Sequence, residues 1–262
     1  MRLKSTNYRR KVASISWSTI RNKDVKDISY YIWYMNINLV NVNNGKYNLF
    51  VIHNDRYLTP VLANGHEWDG WMRKDVEKCY KSGTDILDIG ANIGYNTLIF
   101  SEFGPVQAWE PLYGEVVKKN ALSNTLKNTV TVHDYALSDT TGDADIYIPK
   151  PDAKLLERDL TVINYGNSGF DIPEETRSVS ISVQKKRLDD VYDGTPSFIK
   201  MDVEGHEINV LKGAIDVITK HKPAIIVEIH DMSNSEVDPF LKEHGYGQPI
   251  ERPEHMYLYQ AV

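Results

Sequence analysis

The middle part of the chain alternates between short apolar runs and longer stretches with helical spacing. Apolar runs cover residues 85–89, 106–109 and 130–132, and stretches with helical spacing follow the first two runs at 92–103 and 111–126. Strands with continuous apolar character that alternate with helices are typical of a parallel sheet buried on both faces. The pattern therefore predicts an α/β fold with a doubly wound sheet.

The same alternation returns in the last third of the chain. Phe198–Asp202 and 224–230 predict strands, and apolar spacing from Ile208 to Ile218 predicts one long helix between them. Before them, residues 144–148 and 179–183 alternate with period two, which predicts antiparallel strands. The long polar segment around 150–180 that joins these strands is typical of a lid or binding loop.

Residues 1–66 show only weak alternation, for example in the run from Tyr47 to Ile52. We interpret them as an N-terminal accessory segment with short strands and a basic tail, since the first eleven residues hold five Lys and Arg. A helix with Met72, Val76 and Cys79 on one face then opens a main domain over 67–262.

Composition and charge narrow the possible functions. The 262 residues carry 30 Lys+Arg and 36 Asp+Glu, a net charge of −6, which gives no general attraction for nucleic acid or an anionic membrane. No apolar run reaches the roughly 20 residues of a membrane span, and no signal-peptide core follows the basic tail. The single cysteine, Cys79, cannot form an internal disulfide. We therefore expect a cytoplasmic protein.

A glycine-containing turn follows the first predicted strand of the main domain. Gly90 and Gly94 stand between this strand and a predicted helix, where free amides attract an anionic ligand group. Asn92 occupies the place of the second glycine of a dinucleotide fingerprint, which argues against NAD. Glu110 ends the next strand, where a carboxylate can accept ribose hydroxyls. Together these residues predict an adenosine ligand that lacks a pyrophosphate.

Ionisable residues also follow the two later strands. Lys200, Asp202 and Glu204 lie at the end of one, and Glu228 and His230 lie on the same side at the end of the next. Ligands bind at this edge of open α/β sheets. We expect Lys200 to pair with the carboxylates, because an unpaired buried acid cluster is costly.

These blocks resemble the FkbM family of S-adenosylmethionine-dependent methyltransferases. The resemblance extends from Glu67 to the C-terminus and rests on the glycine-rich motif at 88–97, Glu110-Pro111, 136–139, the LDD and IKxDxEGxE segments at 188–190 and 198–207, and the PxxxxEIH strand at 223–230. It implies a Rossmann-like class I methyltransferase fold with a seven-stranded, mainly parallel sheet and helices on both faces. It also implies O-methylation of a sugar or natural-product hydroxyl.

The resemblance assigns cofactor contacts residue by residue. Asp88, Gly90 and Asn92 would line the methionine part of S-adenosyl-L-methionine, and Glu110 would hold its ribose. The adenine would lie near Asp134 and Tyr135 or Ala136. Glu67 and Asp202 complete the predicted cofactor contacts, and S-adenosyl-L-homocysteine is the implied product.

Methyl transfer to an alcohol needs a base that removes the proton as the new bond forms. Asp202 lies nearest the expected methyl position and is our first candidate, followed by His230 and Glu228. Lys200, Glu204 and Tyr165, which lies in the long loop, are candidate substrate contacts. His206 is expected at the surface.

Several alternatives remain open at this point. A divalent cation could bind Asp202, Glu228 and His230 but is not favoured, so no metal site is predicted. The leading function is an O-methyltransferase acting on a sugar or glycan hydroxyl. An RNA methyltransferase would need a basic channel, and a non-catalytic S-adenosylmethionine-binding module would keep only the fold. The acceptor is a small molecule or glycan, nucleic acid is unlikely as a partner, and a homodimer is left open.

Overall fold

The computed structural model describes residues 37–152 and 162–262, so the basic tail and part of the long loop lie outside the described residues. The strands in chain order are β1 (Leu39–Asn43), β2 (Asn48–Ile52), β3 (Asp85–Ile89), β4 (Val106–Trp109), β5 (Val130–His133), β6 (Ala136–Leu137), β7 (Gly142–Pro149), β8 (Arg177–Lys186), β9 (Pro196–Met201), β10 (Ala224–Glu228), β11 (Ile250–Glu251) and β12 (Met256–Tyr259). The helices are α1 (Leu58–Ala63), α2 (Met72–Cys79), α3 (Tyr95–Phe100), α4 (Gly114–Leu122), α5 (Leu188–Val191), α6 (Glu207–Lys212), α7 (Ile215–His221) and α8 (Val237–Glu243).

Seven strands form the central sheet in the order β11-β12-β10-β9-β3-β4-β5. The five strands from β10 to β5 are parallel, and β12 runs antiparallel to both of its neighbours. The predicted mainly parallel, seven-stranded α/β sheet is confirmed. Its order reverses between β3 and β9, because the chain runs outward through β4 to β5 and then returns to β9. Such a reversal leaves a crevice at the carboxyl ends of the strands.

Both faces of the sheet are buried, as the continuous apolar runs indicate. Alternate residues of β3 belong to different cores, with Ile86 in the core that contains Phe100 and Leu87 in the core that contains Trp109. Each fully buried aliphatic side chain contributes about 1.5–3 kcal/mol relative to exposure. The helices on both faces therefore hold the strand ends in fixed positions.

The hairpin β1–β2 packs against the helix that follows β4. The Asn120 side chain accepts a hydrogen bond from Phe50 N at 2.6 Å and donates to Phe50 O at 3.0 Å and to Ile93 O at 2.7 Å. Short strands are thus present within the accessory segment, and its proposed boundary at residue 66 stays a prediction.

The predicted long helix after β9 is wrong in one respect, since two helices, α6 and α7, replace it. The chain turns at Gly213, where an added Cβ would lie 1.9 Å from the backbone oxygen of Ser138. A continuous helix with a side chain at this position would collide with the segment after β6. The contact that ends the helix is therefore not visible in its own periodicity.

A second, three-stranded sheet has the order β6-β8-β7, and β7 and β8 are antiparallel as predicted. The loop that joins them returns to the central sheet between residues 162 and 170. Within the described ranges, no helix combines the length and apolar character needed to cross a membrane.

Candidate active site

A cavity of about 380 Å³ opens at the carboxyl ends of four adjacent strands, β4, β3, β9 and β10. Nine of the predicted site residues line it: Gly90, Asn92, Glu110, Ala136, Tyr165, Asp202, Glu204, Glu228 and His230. The strand order thus brings together residues from opposite ends of the domain sequence. The remaining predicted residues are Glu67, Asp88, Asp134, Tyr135 and Lys200, whose positions are described below.

Glu110 lies at the β4 end of the cavity and connects two turns. Its Oε1 accepts hydrogen bonds from the amides of Leu112 at 2.8 Å and Tyr113 at 3.1 Å, and its Oε2 accepts one from Asn92 at 2.8 Å. Burial raises the pKa of Glu110 to about 7, while the three amides act to lower it. The carboxylate therefore organises the glycine turn as well as facing the cavity.

Lys200 lies beneath the glycine turn, between two carboxylates. Its Nζ donates to Gly90 O at 2.8 Å and lies 3.2 Å from Asp202 Oδ2 and 3.8 Å from Asp88 Oδ1. Burial acts to lower the pKa of Lys200, but the Asp202 and Asp88 charges raise it above its ordinary value. The predicted pairing is confirmed. Lys200 is not among the residues that line the cavity, and its predicted contact with substrate stays a prediction.

Asp88 also lies below the site rather than against a ligand. Its side chain is fully buried, and its Oδ2 accepts a hydrogen bond from Thr97 Oγ1 at 2.5 Å. The strand alternation that puts Ile89 at the cavity turns Asp88 toward Lys200. Asp88 thus faces Lys200, and its predicted contact with the cofactor stays a prediction.

Gly90 packs directly against the segment after β9. It has φ +78°, and an added Cβ would lie 1.8 Å from the backbone oxygen of Asp202. A side chain would thus meet the protein itself before it met any ligand in the cavity. The glycine is required because the two strand ends approach so closely at the point where the sheet order reverses.

Carboxylates gather at the β10 end of the cavity. His230 Nε2 lies 3.4 Å from Glu228 Oε2, and ligand atoms of Glu204, Glu228 and His230 all lie within 4.8 Å of one another. Burial, followed by the charge of Asp202, raises the pKa of Glu204 to about 8 and that of Glu228 to about 9. Such a group of two carboxylates and an imidazole could hold a proton or a cation. Glu204 occupies the place in this group that the sequence had suggested for Asp202.

Residues 88–247 match the family model of the methyltransferase FkbM domain. The chain belongs to this family. The family resemblance of its sequence motifs is thereby confirmed.

Related proteins match this chain over part of their length. It is 30% identical over 151 residues to hexuronic acid methyltransferase AglP from Haloferax volcanii, a match that covers 56% of each protein, so the chain spans just over half of that relative. A crystal structure of methyltransferase FkbM from Methylobacillus flagellatus KT has 20% identity and a TM-score of 0.44, covering 72% of this chain and 50% of the other. A putative rRNA methylase from Clostridium thermocellum has 12% identity and a TM-score of 0.42, covering 74% and 94%.

Two residues that were predicted to contact adenine lie away from the cavity. Asp134 forms an ion pair with Lys118, and the Tyr135 ring lies 4.2 Å from Lys186 Nζ. Ala136, the alternative to Tyr135, lines the cavity together with Leu137. The backbone after β5 thus presents small apolar side chains to the cavity and directs its polar ones outward.

Glu67 also lies outside the cavity, where it pairs with Arg73 at 3.0 Å. The neighbouring Asp69 lines the cavity instead, and its Oδ2 accepts a hydrogen bond from Asn96 Nδ2 at 3.2 Å. Asp69 has φ +48°, and burial raises its pKa. The sequence offered no signal that Asp69 rather than Glu67 would line the cavity, because a left-handed residue in an irregular loop decides which carboxylate turns inward.

His206 was expected at the surface, and this prediction is wrong. It is 8% exposed and lines the cavity, with Nε2 hydrogen-bonded to Ser138 Oγ at 2.9 Å and its ring 4.5 Å from Phe170. Burial lowers its pKa. His206 precedes α6, so the residues of that helix do not bury its side chain. The second sheet and the returning loop bury it.

Tyr165 lines the cavity but is committed to protein contacts. Its hydroxyl donates to Asn54 Oδ1 at 3.3 Å, and its ring packs edge-to-face on Tyr113 with centroids 6.3 Å apart. Tyr113 follows β4, so these contacts place Tyr165 near the Glu110 end. Its predicted role as a substrate contact stays a prediction.

Proposed function

We propose that this methyltransferase uses S-adenosyl-L-methionine and methylates a hydroxyl group of a sugar or glycan. The observation that carries the proposal is the cavity from Glu110 at the end of β4 to Glu228 at the end of β10. The ends of β4 and β10 are separated by three strand spacings of roughly 4.8 Å, a distance of about 14 Å. One end can thus hold a nucleoside while the other holds an acceptor.

The residues at the β4 end fit the ribose of this cofactor. A carboxylate has about four acceptor positions, and backbone amides occupy three of them on Glu110. The remaining position, on Oε2, is assigned to one ribose hydroxyl. This is a narrower role than the sequence predicts, where Glu110 accepts from both hydroxyls.

The residues farther along the cavity fit a positively charged ligand. S-adenosylmethionine, when bound, would supply a methyl group on a sulfonium, whose carbon an acceptor oxygen could attack with S-adenosylhomocysteine as the leaving group. Asp69 and Asp202 line the cavity between the glycine turn and β10, and opposite charges favour each other strongly where water is scarce. We assign Asp202, held by Lys200, to the reacting centre as a fixed negative charge.

His230 is assigned the role of general base, with Glu228 as the residue that orients it. Its side chain is 60% exposed at the cavity, and its Nε2 lies 3.4 Å from Glu228 Oε2. Histidine commonly takes this role because small environmental changes move its charge across neutral pH. Asp202, the first candidate from the sequence, is committed to Lys200 and remains the competing assignment.

The sugar acceptor is supported by the chemistry of the cavity and by one relative. Carboxyl groups bind hydroxyls, and the indole of Trp68, which also lines the cavity, can cover apolar sugar C–H groups. The partial relative AglP is named for methylation of hexuronic acid. Among the described cavity residues there is no Lys or Arg, which argues against a nucleic-acid acceptor.

The test is methyl transfer from labelled S-adenosylmethionine to a panel of sugars and glycans, followed by mass spectrometry. We expect labelled sugar ethers, and we expect His230→Ala to reduce turnover by roughly 10²–10⁴-fold while calorimetric cofactor affinity is kept. His221→Ala, which changes a histidine outside the cavity, is the matched control.

Three results would change the proposal. Cofactor binding without transfer to any acceptor would indicate a non-catalytic module. Labelled RNA in place of labelled sugar would move the acceptor to nucleic acid. Full turnover in His230→Ala together with a large loss in Asp202→Asn would make Asp202 the base.

A further inference from the structure

We infer that the acceptor is a sugar without a carboxylate group, either neutral or an amino sugar, and that Glu204 and Glu228 determine this specificity. The inference rests on the proposed function, since it concerns the acceptor end of the same cavity. It separates this chain from its relative AglP, whose name specifies a hexuronic acid.

The acceptor end is surrounded by acidic side chains. Five carboxyl groups, those of Asp69, Asp202, Glu204, Glu228 and Glu254, line the cavity outside the Glu110 end and the Asp55 turn. Within residues 37–152 and 162–262, the basic side chains on its wall are histidines, with no Lys or Arg. A carboxylate-bearing acceptor would therefore enter a site that is rich in acidic groups and whose described wall offers no Lys or Arg to pair with it.

The nearest buried cation compensates this charge only in part, because it pairs with Asp202 and with Asp88 below the cavity. Lys200 is 3% exposed, and its Nζ is taken up by Gly90 O, Asp202 and Asp88 below the cavity floor. His230 lies beside Glu228 and 5.5 Å from the ring of His255. The bound cofactor, a cation at its sulfonium, would offset Asp202 and Asp69, which leaves Glu204 and Glu228 facing the acceptor.

The state of these two glutamates suits hydroxyl groups. Burial and neighbouring charges raise their pKa values to about 8 and about 9, so at neutral pH they hold protons and can both donate and accept hydrogen bonds. A sugar hydroxyl or ammonium can pair with such groups. An acceptor carboxylate would instead bring an ionised group to the place where burial and the charge of Asp202 already disfavour ionisation of Glu204 and Glu228. A like charge about 4 Å away at intermediate dielectric costs on the order of 10²–10³-fold in binding.

Glu204 owes its position to an unusual backbone. Its φ is +54°, in the left-handed region that a side chain with a Cβ seldom adopts. Its carbonyl lies 3.1 Å from the Cβ position of Gly169, so the returning loop packs directly on this turn. The turn therefore carries the Glu204 carboxyl to the cavity wall beside Glu228 and His230.

The experiment compares three glycosides that differ in one group: methyl glucoside, its 2-amino analogue and methyl glucuronide, with the same sets in the galactose and mannose series. We expect kcat/KM to favour the neutral or amino member by at least 10²-fold over the glucuronide-type member of its series. In the wild type the preference against the uronide should increase from pH 7 to pH 10, as Glu204 and Glu228 lose their protons, and it should increase less in Glu204→Gln and Glu228→Gln. Because kcat/KM values of two glycosides are compared within one variant, any effect of Glu228 on the general base His230 cancels in their ratio. Glu115→Gln on α4 is the control.

A binding measurement keeps the test independent of turnover. Saturation-transfer NMR with the S-adenosylhomocysteine complex should detect the neutral and amino sugars and not the uronide. Preferred binding or methylation of the uronide would overturn the inference, as would a pH dependence of the ratio that is the same in both Gln variants as in the wild type. Uronide methylation that Mg²⁺ or Mn²⁺ restores and EDTA abolishes would also overturn it, because Glu204, Glu228 and His230 would then hold a cation. If none of the sugars binds, both the inference and the sugar proposal fail, whereas neutral-sugar binding without transfer contradicts only the proposed catalysis.

Discussion

Replacing Glu110 by Gln separates its assigned contact with the ribose from its support of the two turns, whereas replacing it by Ala removes both. Alanine would leave the amides of Asn92, Leu112 and Tyr113 without their acceptor. Each buried unpaired amide costs about 1–3 kcal/mol, and three approach the whole stability of a typical domain. Glutamine keeps a carbonyl oxygen for Leu112 and Tyr113. Its NH₂ group replaces Oε2, which contacts Asn92 and is assigned to the ribose.

The expected loss of cofactor affinity follows from that one atom. A hydrogen bond from a ribose hydroxyl to a charged carboxylate is worth about 1.5–3 kcal/mol. Its loss in Glu110→Gln should therefore weaken S-adenosylmethionine binding by roughly 10–150-fold. The folded protein should survive, because only one of the three amide contacts is lost and a buried charge is removed with it.

The pH dependence gives a second, independent signature. Burial raises the pKa of Glu110 to about 7, so the carboxylate form is present above this pH and is lost as the pH falls below it. Wild-type cofactor affinity should consequently fall about tenfold between pH 8 and pH 6. Glu110→Gln has no group to titrate there and should show a flatter profile.

Calorimetric titration with S-adenosylhomocysteine at pH 6, 7 and 8 measures both effects, and thermal unfolding without cofactor monitors the fold. Glu115→Gln makes the same change on α4, where Glu115 pairs with Lys118 at 2.7 Å outside the cavity. It should bind like the wild type. Affinity within twofold of wild type at every pH in Glu110→Gln would refute the assignment of Oε2 to the ribose.

Three further predictions concern stability. Gly90→Ala should unfold at a much lower urea concentration than the wild type, since its Cβ would lie 1.8 Å from a backbone oxygen. In the control Gly83→Ala, at φ +83°, the new Cβ meets nothing within 4 Å, and the free energy of unfolding should fall by only about 1–2 kcal/mol. Equal urea midpoints of the two variants would contradict the steric argument. Lys200→Met should lower the free energy of unfolding by about 3–5 kcal/mol, as measured by thermal unfolding, because the fully buried Asp88 loses its counter-charge. A change below about 1 kcal/mol would argue against the buried pair. The pKa of Glu228 rises from 4.5 to about 9 on folding, so the unfolded chain releases its proton first and the unfolding free energy should fall as pH rises from 5 to 9. Urea titrations should show a smaller fall in Glu228→Gln, and parallel curves would be evidence against the raised pKa.

The strands and the order of the motifs follow from the sequence alone. β3 and β4 coincide with the apolar runs that predict them, because a strand buried on both faces needs apolar side chains at nearly every position. The turns that follow begin with Gly90 and Pro111, residues with strong local preferences. The placement of Glu110 and Asp202 at one edge follows from parallel strands, so the location of the site was predictable.

Only the tertiary structure decided which polar side chains face the cavity. Asp69 replaces Glu67, His206 is buried, and Lys200 lies beneath the turn, although nothing in their own sequence neighbourhood distinguishes these outcomes. His206 and Lys200 depend on atoms far away in the chain, Ser138 and Gly90 respectively. The left-handed backbone of Asp69 decides which carboxylate of its loop turns inward. Periodicity records whether a position is buried on average. It carries no information about which distant backbone approaches that position, and that approach sets the chemistry of the site.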